Sequence, residues 1–448
     1  HEAVMQVFGA YDDRALQAYV QEVGERVARA SHQPELSWHF TLLDDPTVNA
    51  FALPGGYIYI TRGILVHLNS EAQLAGVLGH EIAHVTARHG AGRITQEQLA
   101  GLGLGLASIV SPIVQRWGGV VQLALGLLFL RYGRDDETEA DALAITYAAG
   151  AGYDPRQIPA TYEMLARVQP RDAERLPTFL STHPDPGDRE ARTRELAQKA
   201  VQRQGNAQFV VRADTHNRRM DGVVFGPDPR EGYFDDNHYY HPGLRFQIRL
   251  PEGWYGQNTR VAVLAAAPDD SGAMQLSVAD ADGLSPAAFV ARLAARGDIV
   301  DADGDTETIG GFPAWVGRIA AAVEGEAPVP LTAAFIRKAD QMFQILGQTR
   351  GDDAIVLASI RSFADLTDPA RLAVRPARVH VARAPATGRF ASVVTSLGVP
   401  PHWVEESAIL NNVRAGQAVD AGALLKFIAP AGPSAAPRRG EQPAAGSR

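Results

Sequence analysis

Apolar positions recur along the chain with two distinct periods. Between residues 12 and 30, Leu16, Tyr19, Val20, Val23 and Val27 share one face of a helix that opens at Asp12-Asp13. Trp38, Phe40 and Leu42 then alternate with Ser37, His39 and Thr41, the period-two pattern of a half-buried strand. Asn49-Ala50-Phe51-Ala52-Leu53 runs into the turn Pro54-Gly55-Gly56 and the β-favouring segment Tyr57-Ile58-Tyr59-Ile60-Thr61. This last strand predicts either a sheet edge, along which an extended peptide could pair, or an internal position. Ser70 and Gln73 have capping-box spacing and open a helix that Gly90 is expected to stop. Further helices are predicted from Asp135-Asp136 to near Gly150, from Asp154-Pro155, and over Arg189–Gln204.

Two apolar, glycine-rich runs, Leu99–Val114 and Val120–Leu130, are interrupted by Gln115-Arg116. Each is shorter than the roughly 20 residues a membrane-spanning helix needs. They predict a buried helical hairpin or, alternatively, an interfacial lid that touches a membrane surface through 99–130. From about residue 206 the texture changes to short β-like runs, such as Phe246–Leu250, Val261–Ala266 and Ala334–Arg337, with helical segments near 286–296 and 352–365. The expected organisation is α+β: a mainly helical domain with a small sheet (1–205), an accessory α+β domain (206–372), a small module (376–428) and a disordered tail (429–448) rich in Ala, Pro, Gly and Arg.

Composition narrows the chemistry. The chain has 448 residues, 46% of them hydrophobic and 21% charged, the profile of a globular protein large enough to fold without staples. A net charge of −9 offers no basic field for nucleic acid, so no nucleic-acid partner is expected. There are no cysteines, which removes thiolate catalysis and every thiolate metal site and leaves His and carboxylate as the ligand set. Only three of the basic residues are lysines, Lys199, Lys338 and Lys426, a bias read as one of host composition and not of chemistry. The chain begins at His1, which predicts an exported protein whose leader has been removed; trimming of the chain is the alternative.

The strongest chemical signal is His80-Glu81-Ile82-Ala83-His84. Residues four apart on a helix share a face, so both imidazoles can reach one metal ion with Glu81 beside it. One zinc ion suits this set, because three protein ligands leave a position for water and Glu81 can act as general base. Downstream, Glu137 and Asp141 project together, whereas Glu139 points about 160° away. Glu137 is the candidate third ligand, and Asp141 can hold the outer ring nitrogen of a liganding histidine. His183, in Ser181-Thr182-His183-Pro184, can steady an oxyanion, occupy the open metal position as an inhibitory ligand, or simply sit in a turn before proline. Arg189 and Arg192 are expected to be solvated or paired with carboxylates. His89, five residues past His84, is expected to face elsewhere, and His32, His39, His67, His216, His238, His241, His380 and His402 are assigned structural duty.

On Asn49–Gly56, Thr61-Arg62-Gly63, the His80–His84 motif, Glu137-x-x-Ala140-Asp141 and Ser181–Pro184 with Arg189, the chain resembles the zinc metallopeptidase family of the CAAX-prenyl proteases, nearest to its soluble bacterial periplasmic members. The resemblance covers nearly all of residues 1–200. It implies a mainly helical gluzincin-type metalloprotease domain over 1–205, zinc ligation by His80, His84 and Glu137, catalysis by Glu81, an outer-sphere or proton-donating Asp141, and a capping role for His183. It also implies a protein or peptide substrate and a periplasmic or envelope location. The helical-repeat tail of such periplasmic members is replaced here by Asp221–Gly226 and His241-Pro242-Gly243, which resemble a subgroup carrying an extra α/β domain. Residues 379–428, with Leu410-Asn411-Asn412 and Leu425–Ile428, resemble a LysM-like module without its usual Gly-Asp-Thr opening. That module implies either a weak peptidoglycan contact or a structural cap. The rival expectation is an envelope chaperone-like or peptidoglycan-binding protein whose zinc site is closed and idle.

Overall fold

The computed structural model describes residues 1–90, 132–168, 179–183, 189–205, 207–269, 271–322, 327–351 and 353–430. The apolar runs within 99–130, with their expected membrane contact, lie outside these residues, as do Pro184 and residues 431–448. Among the described residues, no helix is long and apolar enough to cross a membrane.

The architecture is α+β. The N-terminal part contains helices α1 (Glu2–Phe8) and α2 (Arg14–Ala28), strands β1 (His39–Leu43), β2 (Ala50–Leu53) and β3 (Tyr57–Thr61), and helices α3 (Arg62–His67) and α4 (Glu71–Thr86). Helices α5 (Arg134–Gly150), α6 (Ile158–Arg167), α7 (Phe179–Thr182), α8 (Arg189–Arg203) and α9 (Ala213–Arg219) follow. Asp13 caps α2, its side chain accepting from the Ala15 and Leu16 amides. Ser70 caps α4, and the Gln73 side chain accepts from the Asn69 amide at 2.6 Å. Helix α4 ends at Thr86 and not at Gly90, because Arg88 turns into the left-handed region with φ 61°.

The three strands lie in the order β1-β3-β2, with β3 parallel to β1 and antiparallel to β2. The strand Tyr57–Thr61 is therefore internal, and the expectation of a peptide-pairing edge there is overturned. Of the two edges, β1 is partly covered by the preceding chain, since Tyr11 N–H donates to Leu42 C=O at 2.9 Å.

Helix α4 is buried on every side from Glu71 to His84, as expected of a helix at the centre of a core. Glycine lets its neighbours approach: a Cβ at Gly76 would lie 2.6 Å from Ile158 of α6, and one at Gly79 would lie 3.3 Å from the Ala144 carbonyl oxygen of α5. This close crossing of α4 and α5 brings two chemically active helix faces together.

The middle of the chain forms a seven-stranded antiparallel sheet between residues 255 and 349, with the helix Pro286–Arg296 against one face. Side chains of Val329–Lys338 alternate between its two cores, Ala333 and Phe335 on one side and Ala334 and Ile336 on the other.

The C-terminal segment runs strand, helix, helix, strand. Ala377–Arg383 pairs antiparallel with Leu424–Pro430, around the helices Phe390–Ser396 and Val404–Leu410. The last strand extends two residues past Ile428, so Ala429 and Pro430 belong to the sheet and not to the tail. Val224–Phe225 adds a third strand beside Ala377–Arg378. The last strand has two faces. Leu425 and Phe427 enter the module's own core, while Ile428, with Val379 and Leu410, joins the core around α4. Between them the fully buried Lys426 ammonium donates to the carbonyls of Val66 at 2.8 Å and Leu68 at 2.5 Å, at the end of α3.

Candidate metal centre

His80, Glu81 and His84 rise from α4, Glu137 and Asp141 from α5, and His183 follows α7. All six are buried, none exposed by more than 1%. Nε2 of His80 and Nε2 of His84 lie 3.0 Å apart. Glu137 Oε2 is 3.4 Å from the first and Glu137 Oε1 is 3.4 Å from the second. His183 Nδ1 sits 3.3 Å from His80 Nε2 and 2.9 Å from Glu137 Oε1. One ligand atom from each of His80, His84, Glu137 and His183 falls within 4.8 Å of the others, a cluster that can hold a metal ion.

The residues fit such an ion on a second ground. Both carboxylate oxygens of Glu81 and Nε2 of His183 are buried with no hydrogen-bond partner among the described residues, 3.7 Å from each other at the nearest. Buried polar atoms are rarely left so, and a cluster of them around convergent nitrogens marks a place for a ligand. Burial raises the Glu81 carboxyl above the ordinary carboxylate range, making it the better proton acceptor.

Behind the histidines lies a charged hub. Asp141 Oδ1 is 3.1 Å from His80 Nδ1 and accepts from Arg189 Nη2 and from the Tyr162 hydroxyl, each at 2.7 Å. Arg192 donates to Asp141 Oδ2 at 2.9 Å. Arg189, 2% exposed, also lies 3.0 Å from Glu137 and stacks over the Tyr162 ring at 4.2 Å. Burial would raise the Asp141 and Glu137 carboxyls, but Arg189 beside Asp141 and the His183 and His80 imidazoles beside Glu137 hold both below the usual range. His80 is opposed by burial yet raised to about 9 by Glu137 and Asp141. Both arginines are thus carboxylate-paired, and Arg189 is not solvated.

Several neighbours gave no local signal in the sequence. Tyr132 stacks on His84 with ring centroids 3.6 Å apart, and Phe179 stacks on His183 at 4.2 Å. The Phe179 amide donates to the Val48 carbonyl at 2.8 Å, tying α7 to the start of β2. His89 does not face elsewhere: its Nδ1 lies 2.9 Å from His84 Nδ1 and its Nε2 lies 3.5 Å from Glu139 Oε2. A helical projection carried past Thr86 misplaces it, because the chain reverses at Arg88. That left-handed turn costs a non-glycine residue about 1–2 kcal/mol.

Two histidines four apart on one helix, an acidic partner on the helix crossing it and a buried carboxylate beside them make the arrangement of a candidate metallopeptidase centre. Residues 14–197 match the model of Peptidase family M48. The chain is 38% identical over 176 residues to the mitochondrial metalloendopeptidase OMA1 of Arabidopsis thaliana, covering 39% of this chain and 34% of that protein. It is 32% identical over 195 residues to the beta-barrel assembly-enhancing protease of Escherichia coli K12, covering 42% and 40%. It is 33% identical over 196 residues to the mitochondrial metalloendopeptidase OMA1 of Schizosaccharomyces pombe, covering 41% and 55%. The match thus spans about half or less of each of these relatives.

Proposed function

We propose that this chain is a zinc-dependent endopeptidase that hydrolyses peptide bonds in proteins of the cell envelope, misfolded ones among them. The observation that carries the reading is the convergence of His80, His84 and Glu137 beside a buried Glu81 whose oxygens have no partner. A zinc ion held by those three residues would supply Lewis acidity to the scissile carbonyl and the attacking water. Glu81 takes the water's proton and returns it to the leaving amine. Asp141 fixes the His80 ring through Nδ1, and Arg189 and Tyr162 fix Asp141.

His183, within reach of both His80 and Glu137, supports a fourth-ligand role that keeps the site latent; swung away, the same imidazole can donate to the oxyanion. For an extended substrate, β2 is the edge strand next to α7, and among the described residues no strand pairs with its outer side. The relative named for β-barrel assembly supports an exported, periplasmic or envelope location. The strand-helix-helix-strand segment supports the LysM-like reading of 379–428. Its residues Asn412, Arg414 and Gln417 line a cleft of about 1080 Å³ with Tyr162, Arg167 and Glu163, open to a weak saccharide contact.

The test is zinc-loaded full chain on casein and on unfolded outer-membrane protein, with and without phenanthroline. Glu81→Gln should keep zinc and lose cleavage by about 10²–10⁴-fold. Retained cleavage in that variant refutes the mechanism. A wild-type chain that holds zinc but cleaves nothing, even as His183→Ala, favours the second reading, an envelope chaperone-like or peptidoglycan-binding protein with a closed site.

A further inference from the structure

We infer that His89 is a positioning residue for the metal ligand His84, linked through its far nitrogen to Glu139. The inference rests on the metallopeptidase reading of the site and assigns a residue that the ligand motif does not contain.

The argument begins with ring orientation. Nε2 of His84 faces His80 Nε2 at 3.0 Å and Glu137 Oε1 at 3.4 Å, so Nε2 is the nitrogen turned towards the metal position. A liganding nitrogen must be bare, which places the His84 proton on Nδ1. That N–H points at His89 Nδ1, 2.9 Å away. His89 must then accept on Nδ1 and carry its own proton on Nε2, where Glu139 Oε2 lies at 3.5 Å and Asp136 Oδ1 at 4.0 Å. The two rings meet edge to face, 71° apart. Tyr132 stacks on the His84 ring at 16°, so stacking restrains its tilt and His89 its rotation in plane.

The two metal-binding histidines are therefore held alike. Asp141 takes the outer nitrogen of His80, and His89 takes the outer nitrogen of His84. The backbone supports this pairing. In a continuing helix His89 would stand about 140° around the axis from His84. The helix instead stops at Thr86, and Arg88 adopts φ 61°, folding residue 89 back over the preceding turn. Strain of this kind in a non-glycine residue is commonly found where a side chain must be aimed. His89 is also 9% exposed, so it is a packed partner and not a solvated surface histidine.

The experiment measures zinc affinity of the purified full chain by chelator competition, without substrate. His89→Ala should weaken zinc binding by about 10–100-fold, while the melting temperature of the metal-free chain stays close to that of the wild type. His89→Asn can place its amide oxygen where Nδ1 now accepts, and should restore affinity to within about threefold. Wild-type zinc affinity in His89→Ala overturns the proposal. So does His89→Asn binding as weakly as His89→Ala, since packing alone would then explain the loss. If His89→Ala does not fold, His89→Phe and His89→Asn replace the pair: equal affinity in these two refutes the role, and stronger binding in His89→Asn supports it. A chain that shows these affinity shifts yet cleaves no protein keeps this inference and fails the peptidase reading; cleavage with unshifted affinity does the reverse.

Discussion

Two buried, polar sites, the metal centre on α4 and the seam at the end of α3, behave differently. At the metal centre, neither oxygen of Glu81 nor Nε2 of His183 has a hydrogen-bond partner among the described residues. At the seam under the C-terminal segment, the buried cation and imidazoles have each taken up at least one partner, although Nε2 of His216 has none among the described residues. Lys426 donates to two carbonyls, His67 Nδ1 lies 2.6 Å from the Gly63 carbonyl, and His216 Nδ1 lies 2.9 Å from the Tyr19 hydroxyl. Both sites bury charge-bearing side chains. The difference teaches that a cluster of unpartnered carboxylate and imidazole atoms, and not burial or one isolated orphan, separates a site built to receive a ligand from one built to join two parts of a chain.

The largest test of this contrast is Asp141→Asn. The change leaves Arg189 buried without its principal carboxylate and loosens His80. Breaking a buried pair in this way should cost about 3–5 kcal/mol of stability, read by urea unfolding. Zinc affinity should fall by about 10–100-fold as well. An effect on stability with no effect on zinc would detach the hub from the metal centre.

A smaller effect is expected at the seam, and it depends on pH. Burial holds Lys426 well below the ordinary lysine range. Between that lowered value and the unfolded value of about 10.4, the unfolded chain binds more protons than the folded one. Stability therefore rises with pH through this window and is lost as pH falls, by at most about 1.4 kcal/mol per unit. Lys426→Met removes this contribution. The wild type should gain stability relative to the variant between pH 7 and 9.5 in thermal unfolding, with no change in zinc affinity. Parallel pH curves for the two chains would show that Lys426 does not carry the effect. A shift in zinc affinity would instead make the seam part of the site.

Local periodicity made much of the peptidase half legible. The cap at Ser70, the shared face of His80 and His84, and the joint projection of Glu137 and Asp141 are all properties of single helices, and the structure has these side chains meeting across α4 and α5. What the sequence did not reveal is non-local. An apolar run such as Tyr57–Thr61 looks the same at an edge or inside a sheet, because its neighbours come from elsewhere in the chain. Tyr162 and Tyr132 reach the site only through tertiary packing. His89 was hidden by the end of the helix, past which a 100° step per residue no longer holds. Lys426 passed for composition because one charged residue in an apolar strand reads as solvated until a second domain covers it.

The short strand Val224–Phe225 carries a further consequence. Phe225 pairs directly with Ala377, so the 151 residues between them leave and re-enter the host at one doorway. In topological terms, the middle sheet is a guest set between two short strands that pair directly, Val224–Phe225 and Ala377–Arg378. A gene that joins the two strands through a short hairpin turn of about two to five residues should still encode a chain that binds zinc in a chelator competition. Loss of the fold on such excision would mean that guest and host have become mutually dependent.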